Sequence, residues 1–208
     1  MGVISGDARN MNLSRFEKYG VIVADPPWPY QKFSERREGS AKAEYNLMTL
    51  DDLYEMPVGK LAKDDAILLL WGTWPKLPEA LATLNAWGFE YVTGFPWVKL
   101  NKGGGLQYGV GFWVRGCSEF VFIGRRGNVS PPRLEGFLGL MSPNIGHSHK
   151  PDSIHEIAEA LPGPYIELFA RRERAGWDCF GNEVVSTAEA MPLFEHDLEQ
   201  GALFTRGM

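Results

Sequence analysis

The sequence is poor in cysteine and contains no long apolar run. Its 208 residues include only two cysteines, Cys117 and Cys179, and their wide separation predicts reduced thiols rather than a disulfide or a metal centre. No run approaches the roughly 20 apolar residues that cross a membrane. Residues 1–10 lack the basic flank and apolar stretch of a secretory signal. We therefore expect a cytoplasmic protein.

Basic charge is also scarce. With 21 Lys and Arg against 26 Asp and Glu, the formal net charge is -5 at pH 7, which argues against a protein that clamps nucleic acid over its whole surface. A nucleic-acid substrate would need a local basic patch, a partner or a grip on a single base. The candidate residues for such a patch are Arg36, Arg37, Arg125, Arg126, Arg133, Arg171, Arg172 and Arg174.

Short apolar runs alternate along the chain with segments of helical pattern. This alternation predicts an α/β fold, with a mostly parallel sheet and helices on both faces. The predicted strands are 19–24, 66–71, 89–98, 119–124 and 165–170, and the predicted helices end near residue 56 and span 78–87 and 152–161. Residues 31–44 and 101–105 are predicted loops, and 127–149 has little periodicity. The pattern fades after residue 182, so we predict one domain at 1–184 and a C-terminal tail at 185–208.

The tetrapeptide Asp25-Pro26-Pro27-Trp28 directly follows the first predicted strand. Ligands of open α/β sheets bind at the carboxyl ends of the strands, and two prolines make the turn there rigid. The Asp25 carboxylate and the Pro26 carbonyl can therefore act as two fixed acceptors for the N–H groups of an exocyclic amine. Trp28 offers a flat face to a base that has left its stack. The alternative is a plain proline turn with a buried tryptophan.

Several further motifs accompany this tetrapeptide. They are VIVADPPWPY, YNLMTLDDL, LLLWGTWP, GFWVRGCSEFVFIGRRG, HSHKPDSIHEIAEALPG and IELFARRERAGWDCFGNEV. In this order they resemble the signature of the messenger-RNA adenosine methyltransferase (MT-A70) family, and the resemblance covers most of residues 7–183. It implies a Rossmann-like S-adenosylmethionine-dependent methyltransferase fold with permuted motif order, in which the catalytic motif precedes the cofactor-binding half.

The resemblance also implies roles for individual residues. Asp25, Pro26, Pro27 and Trp28 match the catalytic motif, with Asp25 and Pro26 holding the amine and Trp28 stacking on the base. The residues that match cofactor-binding positions are Asp7, Ala8, Asp25, Lys150, Glu167, Leu168, Phe169, Arg171, Asn182 and Glu183. Among these, Asp7 matches a position near the adenine of the cofactor and Lys150 one that reaches its methionine carboxylate. A Glu at a strand end, such as Glu167, can also accept the ribose hydroxyls on physical grounds.

The acceptor side is less closely matched. Trp28, Tyr45, Arg115 and Glu119 are the predicted substrate-binding residues, although Tyr45 and Glu119 could equally be a packing aromatic and a solvent-facing carboxylate. Arg115 stands where the eukaryotic enzymes have Asn. The chain also departs from the family's better-studied members after Arg171, since Glu173 and Arg174 replace a His-Asn pair, and its closing Asn182-Glu183 stands where Asn-Gln is common.

Together these observations predict an S-adenosylmethionine-dependent methyltransferase acting on the 6-amino group of adenine in DNA. DNA is favoured over RNA because the chain is compact and contains no recognisable RNA-binding module. An RNA adenosine methyltransferase, a non-catalytic nucleic-acid-binding subunit and a methyltransferase for a small-molecule or protein amine are the alternatives. No metal is expected, because His147 and His149 lack a third ligand. A homodimer or a complex with a partner subunit stays open.

Overall fold

The computed structural model describes residues 18–29, 48–109, 113–131, 137–144 and 149–181, and the backbone of 203–206. In this part of the chain, strands and helices form one α/β unit. The strands are β1 (Tyr19–Ala24), β2 (Ala62–Gly72), β3 (Glu90–Leu100), β4 (Ser118–Arg126), β5 (Leu140–Pro143), β6 (Tyr165–Leu168), β7 (Trp177–Gly181) and β8 (Leu203–Arg206). The helices are α1 (Leu50–Glu55), α2 (Val58–Leu61), α3 (Leu77–Ala86) and α4 (Ser153–Glu159), and a 3-10 turn, Trp74–Lys76, precedes α3. None of these helices is long and apolar enough to span a membrane.

Local sequence explains where several of these elements begin and end. At α1, the Thr49 hydroxyl accepts the backbone N–H of Asp52 while the Asp52 carboxylate accepts that of Thr49, which is a complete capping box. Just after the C-terminus of α3, Gly88 takes a φ of 82°, a conformation that glycine adopts without strain. The first strand spans the predicted residues 19–24, and all six residues are buried. The predicted strand at 19–24, the predicted helix that ends near residue 56 and the predicted helix at 78–87 are confirmed.

The sheet is mixed, so the prediction of a mostly parallel sheet is wrong. The strand order is β5-β3-β4-β2-β1-β6-β7-β8. Strand β1 lies parallel to β2 and β6, β6 to β7, and β3 to β5. Strand β4, however, runs antiparallel to both β2 and β3, and β8 runs antiparallel to β7. The sequence pattern shows that a strand is buried but not its direction, which depends on its partners.

Helices cover both faces of the sheet, as predicted. Alternate residues of β1 and β2 point to opposite faces, so each face has its own apolar core. The first core packs side chains of α1, α2 and α3, including Leu53, Leu61 and Leu84, against one face of the sheet. The second packs Ile154 and Ile157 of α4 against the other face. The central strands are therefore fixed from both sides.

Three strands were not predicted. Strand β5 lies within the segment of little periodicity, and β7 follows a turn after β6. Strand β8 lies in the predicted tail, where its backbone pairs with β7 from Asp178 to Gly181. The domain boundary at residue 184 stays a prediction. The loop predicted at 31–44 lies outside the described residues.

One edge of the sheet gathers the strand ends that matter for function. Strands β1, β2 and β6 are parallel, so their carboxyl ends share this edge. Because β4 is antiparallel to β2, its first residues lie at the same edge, with Phe120 paired to Gly72. The end of β3 joins them, since Trp97 is paired with Glu119. Asp25, Glu119 and Glu167 are thereby brought to one side of the molecule.

Candidate active site

The proline corner begins directly at the end of β1. The backbone N–H of Asp25 lies 3.5 Å from the Leu168 carbonyl of β6, and the backbone N–H of Trp28 donates to the Pro26 carbonyl at 2.8 Å. The corner is thus a tight turn held by its own backbone. Asp25 and Pro27 remain partly exposed, whereas Pro26 and Trp28 are buried. The carboxylate at the corner is accessible from the edge of the sheet.

Asp25 belongs to a cluster of alternating charges. The Lys150 ammonium, just before α4, lies 2.7 Å from the Asp25 carboxylate and 3.4 Å from Glu119 Oε2. Lys99, at the end of β3, forms an ion pair with Glu119 Oε1. All four side chains are less than a quarter exposed, so water screens these contacts only in part. We call these four residues the charge cluster.

Two tryptophan rings, one for each lysine, lie close to the ammonium groups of the charge cluster. Lys150 Nζ lies 5.4 Å from the ring centroid of Trp71, and Lys99 Nζ lies 4.8 Å from that of Trp97. The two rings meet edge to face at 5.7 Å. An aromatic face attracts a cation, so these two rings help to hold both ammonium groups at this edge of the sheet.

The protonation of the charge cluster reflects its burial. Desolvation raises the pKa of Asp25 above its ordinary value, although Lys150 opposes the shift. Burial alone would lower the pKa of Lys150, but the carboxylates of Asp25 and Glu119 outweigh it and the pKa lies above its ordinary value. Lys150 is therefore a firmly held cation. Glu119 Oε2 is buried and receives no hydrogen bond from any residue in the described part of the chain.

Comparison with known proteins identifies the family of the chain. Residues 19–183 match the profile of the MT-A70 family. The chain belongs to the MT-A70 family. It is 32% identical over 199 residues to the type II methyltransferase M.MunI of a Mycoplasma species, covering 85% of this chain and 82% of that protein. It is 30% identical over 193 residues to the human N(6)-adenosine-methyltransferase catalytic subunit METTL3, covering 86% of this chain but 30% of the human protein. The resemblance predicted from the motifs is confirmed.

In this MT-A70 chain, Glu167 lies at the end of β6 and contacts a buried histidine. His155 Nε2 of α4 is 2.9 Å from Glu167 Oε2. The chain then turns sharply, because Phe169 takes a φ of 63°, which is unusual for an aromatic residue. Arg171 follows, close enough to lower the pKa of Asp25. Of the predicted cofactor positions, Asp25, Lys150, Glu167, Leu168, Phe169 and Arg171 therefore lie at this edge of the sheet.

Trp28 is a buried residue of the proline corner. Only 5% of the residue is exposed, and its indole N–H donates to the Trp71 carbonyl at 3.1 Å. It packs in the first apolar core, beside α1. Base stacking on Trp28 stays a prediction, and the structure gives it a packing role as well.

The predicted basic patch is not gathered at one rim. Arg125 and Arg126 end β4 and pair with Ile67 and Ala66, at the opposite edge of the sheet from Asp25. Arg115 is exposed, and its guanidinium lies 5.5 Å from the Tyr108 ring centroid. Two further arginines turn to the start of α4, where the Asp152 carboxylate accepts from both. These are Arg172 and Arg174.

Some predicted site residues lie outside the described part of the chain. These are Asp7, Ala8, Tyr45, Asn182 and Glu183, together with Arg36, Arg37, Arg133 and His147. His149 is described and exposed. Among the described residues, no three His, Cys, Asp or Glu side chains gather as metal ligands.

Lys99 and His155 were missed by sequence reasoning. The signal for Lys99 was its place at the end of a strand that faces Glu119 across a glycine-rich loop, since a hairpin would bring the two together. Helical spacing carries no comparable signal for His155, because its contact to Glu167 depends on how α4 packs on the sheet.

Proposed function

We propose that this MT-A70 protein is an S-adenosylmethionine-dependent methyltransferase that acts on the 6-amino group of adenine in DNA. The observation that carries the proposal is the charge cluster, in which a partly exposed Asp25 carboxylate follows β1 and is held by Lys150. Groups with perturbed pKa values at the carboxyl end of a sheet are typical of catalytic sites. The family match supports the reaction class.

Asp25 and Pro26 would hold the acceptor amine. The carboxylate of Asp25 can accept one N–H of the amine. The Pro26 carbonyl already accepts the backbone N–H of Trp28, but a carbonyl oxygen has a second lone pair for the other N–H. Holding both hydrogens aims the nitrogen lone pair at the methyl donor, so catalysis comes from orientation and electrostatics. No proton needs to leave before the amine attacks.

The described residues fit S-adenosylmethionine. A zwitterionic cofactor with a ribose needs a cation for its carboxylate and an acceptor for its hydroxyls. Lys150 is a 17% exposed cation at the edge, and Glu167 presents an oxygen, Oε1, that receives no hydrogen bond within the described ranges. Leu168, Phe169 and Arg171 would line the same site. The cofactor supplies a methyl group that its sulfonium has activated.

Glu119 is the second carboxylate that an acceptor would meet. Its Oε2 lies 3.4 Å from Lys150 Nζ and lacks a hydrogen bond from the described residues. The Lys150 ammonium faces this oxygen as an ion-pair partner without a well-directed hydrogen bond, so a ligand N–H group can still donate to it. We assign Glu119 to the acceptor side of the site, as the sequence predicts.

The relatives favour DNA. The similarity extends over 82% of the type II methyltransferase M.MunI but over 30% of METTL3. METTL3 is named for the methylation of adenosine, a ribonucleoside, which makes an RNA substrate the second candidate. The predicted cytoplasmic location, the possibility of a homodimer or partner subunit, and the roles of Asp7, Ala8, Tyr45, Asn182 and Glu183 stay predictions.

The proposal is tested with matched DNA and RNA oligonucleotides and S-adenosylmethionine labelled in its methyl group, followed by mapping of the methylated adenines. We expect transfer to adenine in DNA, and loss of transfer in Asp25→Ala with cofactor affinity retained in calorimetry. Asp51→Ala, which alters an exposed carboxylate of α1, is the control and should behave like the unaltered protein. Near-normal turnover of Asp25→Ala would refute the role of Asp25. Transfer only to RNA, or to no nucleic acid despite cofactor binding, would refute the choice of substrate.

A further inference from the structure

Trp74 is a half-exposed aromatic side chain beside the charge cluster. It lies two residues past the end of β2, and the residue is 50% exposed. Large apolar side chains at this exposure are normal when scattered, so exposure alone assigns no role. Its position and its fixed orientation distinguish it.

The Trp74 ring is held in place by a hydrogen bond and by an aromatic contact. The indole N–H donates to the Ser118 hydroxyl at 2.9 Å, and the ring meets Phe120 edge to face at 5.3 Å. The backbone is restricted as well, because Pro75 follows and the N–H of Lys76 donates to the Thr73 carbonyl at 2.7 Å. A ring whose orientation is already fixed loses little entropy when a planar ligand stacks on it.

Trp74 and Glu119 lie on either side of the same strand end. Ser118 and Glu119 are consecutive in β4, and successive side chains of a strand point to opposite faces. Ser118 therefore contacts Trp74, whereas Glu119 contacts Lys150. A planar group lying across this edge would have an aromatic ring on one side and the charge cluster on the other.

Trp74 follows β2 at the same end of the sheet as Asp25. Ala24 is paired with Leu70, so Asp25 is level with Trp71 on the adjacent strand and Trp74 lies three residues beyond. The Trp74 indole bonds Ser118 of β4, and β4 and β1 are the two neighbours of β2, so Trp74 and Asp25 flank the end of β2. Trp28, the aromatic residue of the proline corner, is buried and bonded to Trp71. Trp74 is thus the exposed ring among these tryptophans.

We infer that Trp74 is a stacking platform for a nucleobase of the acceptor strand, either the adenine that receives the methyl group or the base next to it. The inference rests on the proposed function, since it concerns the acceptor side of the same site. Stacking on an aromatic face is tolerant of base identity, so Trp74 strengthens acceptor binding without specifying a sequence. Hydrogen bonding by Asp25, Pro26 and Glu119 would supply the selectivity for adenine.

The experiment compares Trp74→Ala, Trp74→Phe and Trp74→Leu on an oligonucleotide that the unaltered protein methylates. We expect Trp74→Ala and Trp74→Leu to raise the KM for the oligonucleotide about 10-fold, the loss expected for one stacked base, while the Kd for S-adenosylmethionine stays unchanged. Trp74→Phe keeps a ring and should retain most of the affinity. The control is Tyr91→Ala, because Tyr91 is 45% exposed and contacts Phe122 edge to face, but lies at the opposite edge of the sheet.

The outcomes separate stacking from simple packing. A raised KM in Trp74→Ala and Trp74→Leu, but not in Trp74→Phe or Tyr91→Ala, supports the inference. An unchanged KM in Trp74→Ala, or equal losses of oligonucleotide and cofactor binding, would overturn the inference alone. If the unaltered protein transfers no methyl group to any oligonucleotide, the proposed function fails and the inference fails with it.

Discussion

Replacing Lys150 by Met removes the cation that lies between two carboxylates. Its ammonium is 2.7 Å from the Asp25 carboxylate and 3.4 Å from Glu119 Oε2, and the three side chains are 14–24% exposed. Removing one partner of a fully buried ion pair costs about 3–5 kcal/mol. Water reaches this cluster in part, so we expect Lys150→Met to lower the free energy of unfolding by about 2 kcal/mol at neutral pH.

The loss should depend on pH in a defined direction. Burial raises the pKa of Asp25, and without Lys150 this pKa rises further. A carboxyl group with a raised pKa in the folded state stabilises the fold below its unfolded pKa, and that contribution is lost as the pH rises through the folded value. The cost of Lys150→Met should therefore decrease as the pH falls from about 7 toward about 4, because Asp25 becomes protonated over this range more readily than an ordinary carboxyl group.

Urea unfolding of Lys150→Met and the unaltered protein across this pH range measures the effect. Lys76→Met is a matched control, because the Lys76 ammonium lies 2.8 Å from Glu79 and the side chains are similarly exposed. The hydrogen bond from Lys76 lowers the pKa of Glu79. This pair therefore stabilises the folded state at pH values above the pKa of Glu79 in the unfolded chain, and the stabilisation is lost as the pH falls through the pKa of Glu79 in the folded state. An i,i+3 helix pair contributes only about 0.2–0.5 kcal/mol. A cost of Lys150→Met that is independent of pH, or no larger than that of Lys76→Met, would refute the reasoning.

Three further predictions concern single side chains. Trp28→Ala should lower the free energy of unfolding by about 3–5 kcal/mol in a denaturant titration, since it leaves a cavity in the core. A loss of only about 0.5–1.5 kcal/mol, as for the removal of one buried methyl group, would show that the ring is not packed. Thr49→Ala should lower the free energy of unfolding by about 1 kcal/mol through loss of the α1 cap, whereas Thr49→Ser should restore most of that loss. Burial raises the pKa of Cys179 to about 12, so a thiol reagent at neutral pH should modify Cys117 but modify Cys179 only after unfolding. Modification of both thiols in the folded protein at equal rates would contradict the burial of Cys179.

The sequence predicted best where structure depends on local residues. The strand Tyr19–Ala24 and the helix after Thr49 are marked by apolar runs, caps and prolines, and both were predicted. The direction of β4 was not, because an apolar strand has the same pattern in either orientation. Strand β7 was missed as well, since its five buried residues include Asp178 and follow a turn that resembles a loop.

In the candidate site, too, the residues that belong to motifs were predicted, whereas those that depend on packing between elements were not. The residues Asp25, Lys150 and Glu119 were predicted from motifs, and the structure brings them together within one cluster. Lys99, His155 and Trp74 were not predicted, because each acts through a contact between different elements of the fold, and these contacts depend on how the elements pack. Arg125 and Arg126 were candidates for a basic patch, and only the antiparallel pairing of β4 shows that they lie at the opposite edge of the sheet from Asp25.

The reversed direction of β4 also bears on how the protein could change its specificity. The segment between β3 and β4 leaves the sheet after Leu100 and returns at Ser118, next to Glu119. Its ends are held by the two strands and by the hydrogen bond from the Lys99 N–H to the Cys117 carbonyl. Substitutions at the exposed residues 113–116 of this segment therefore need not move the paired strands. New sequence preferences could evolve, or be engineered, in this one loop while the chemistry of the proline corner is left intact.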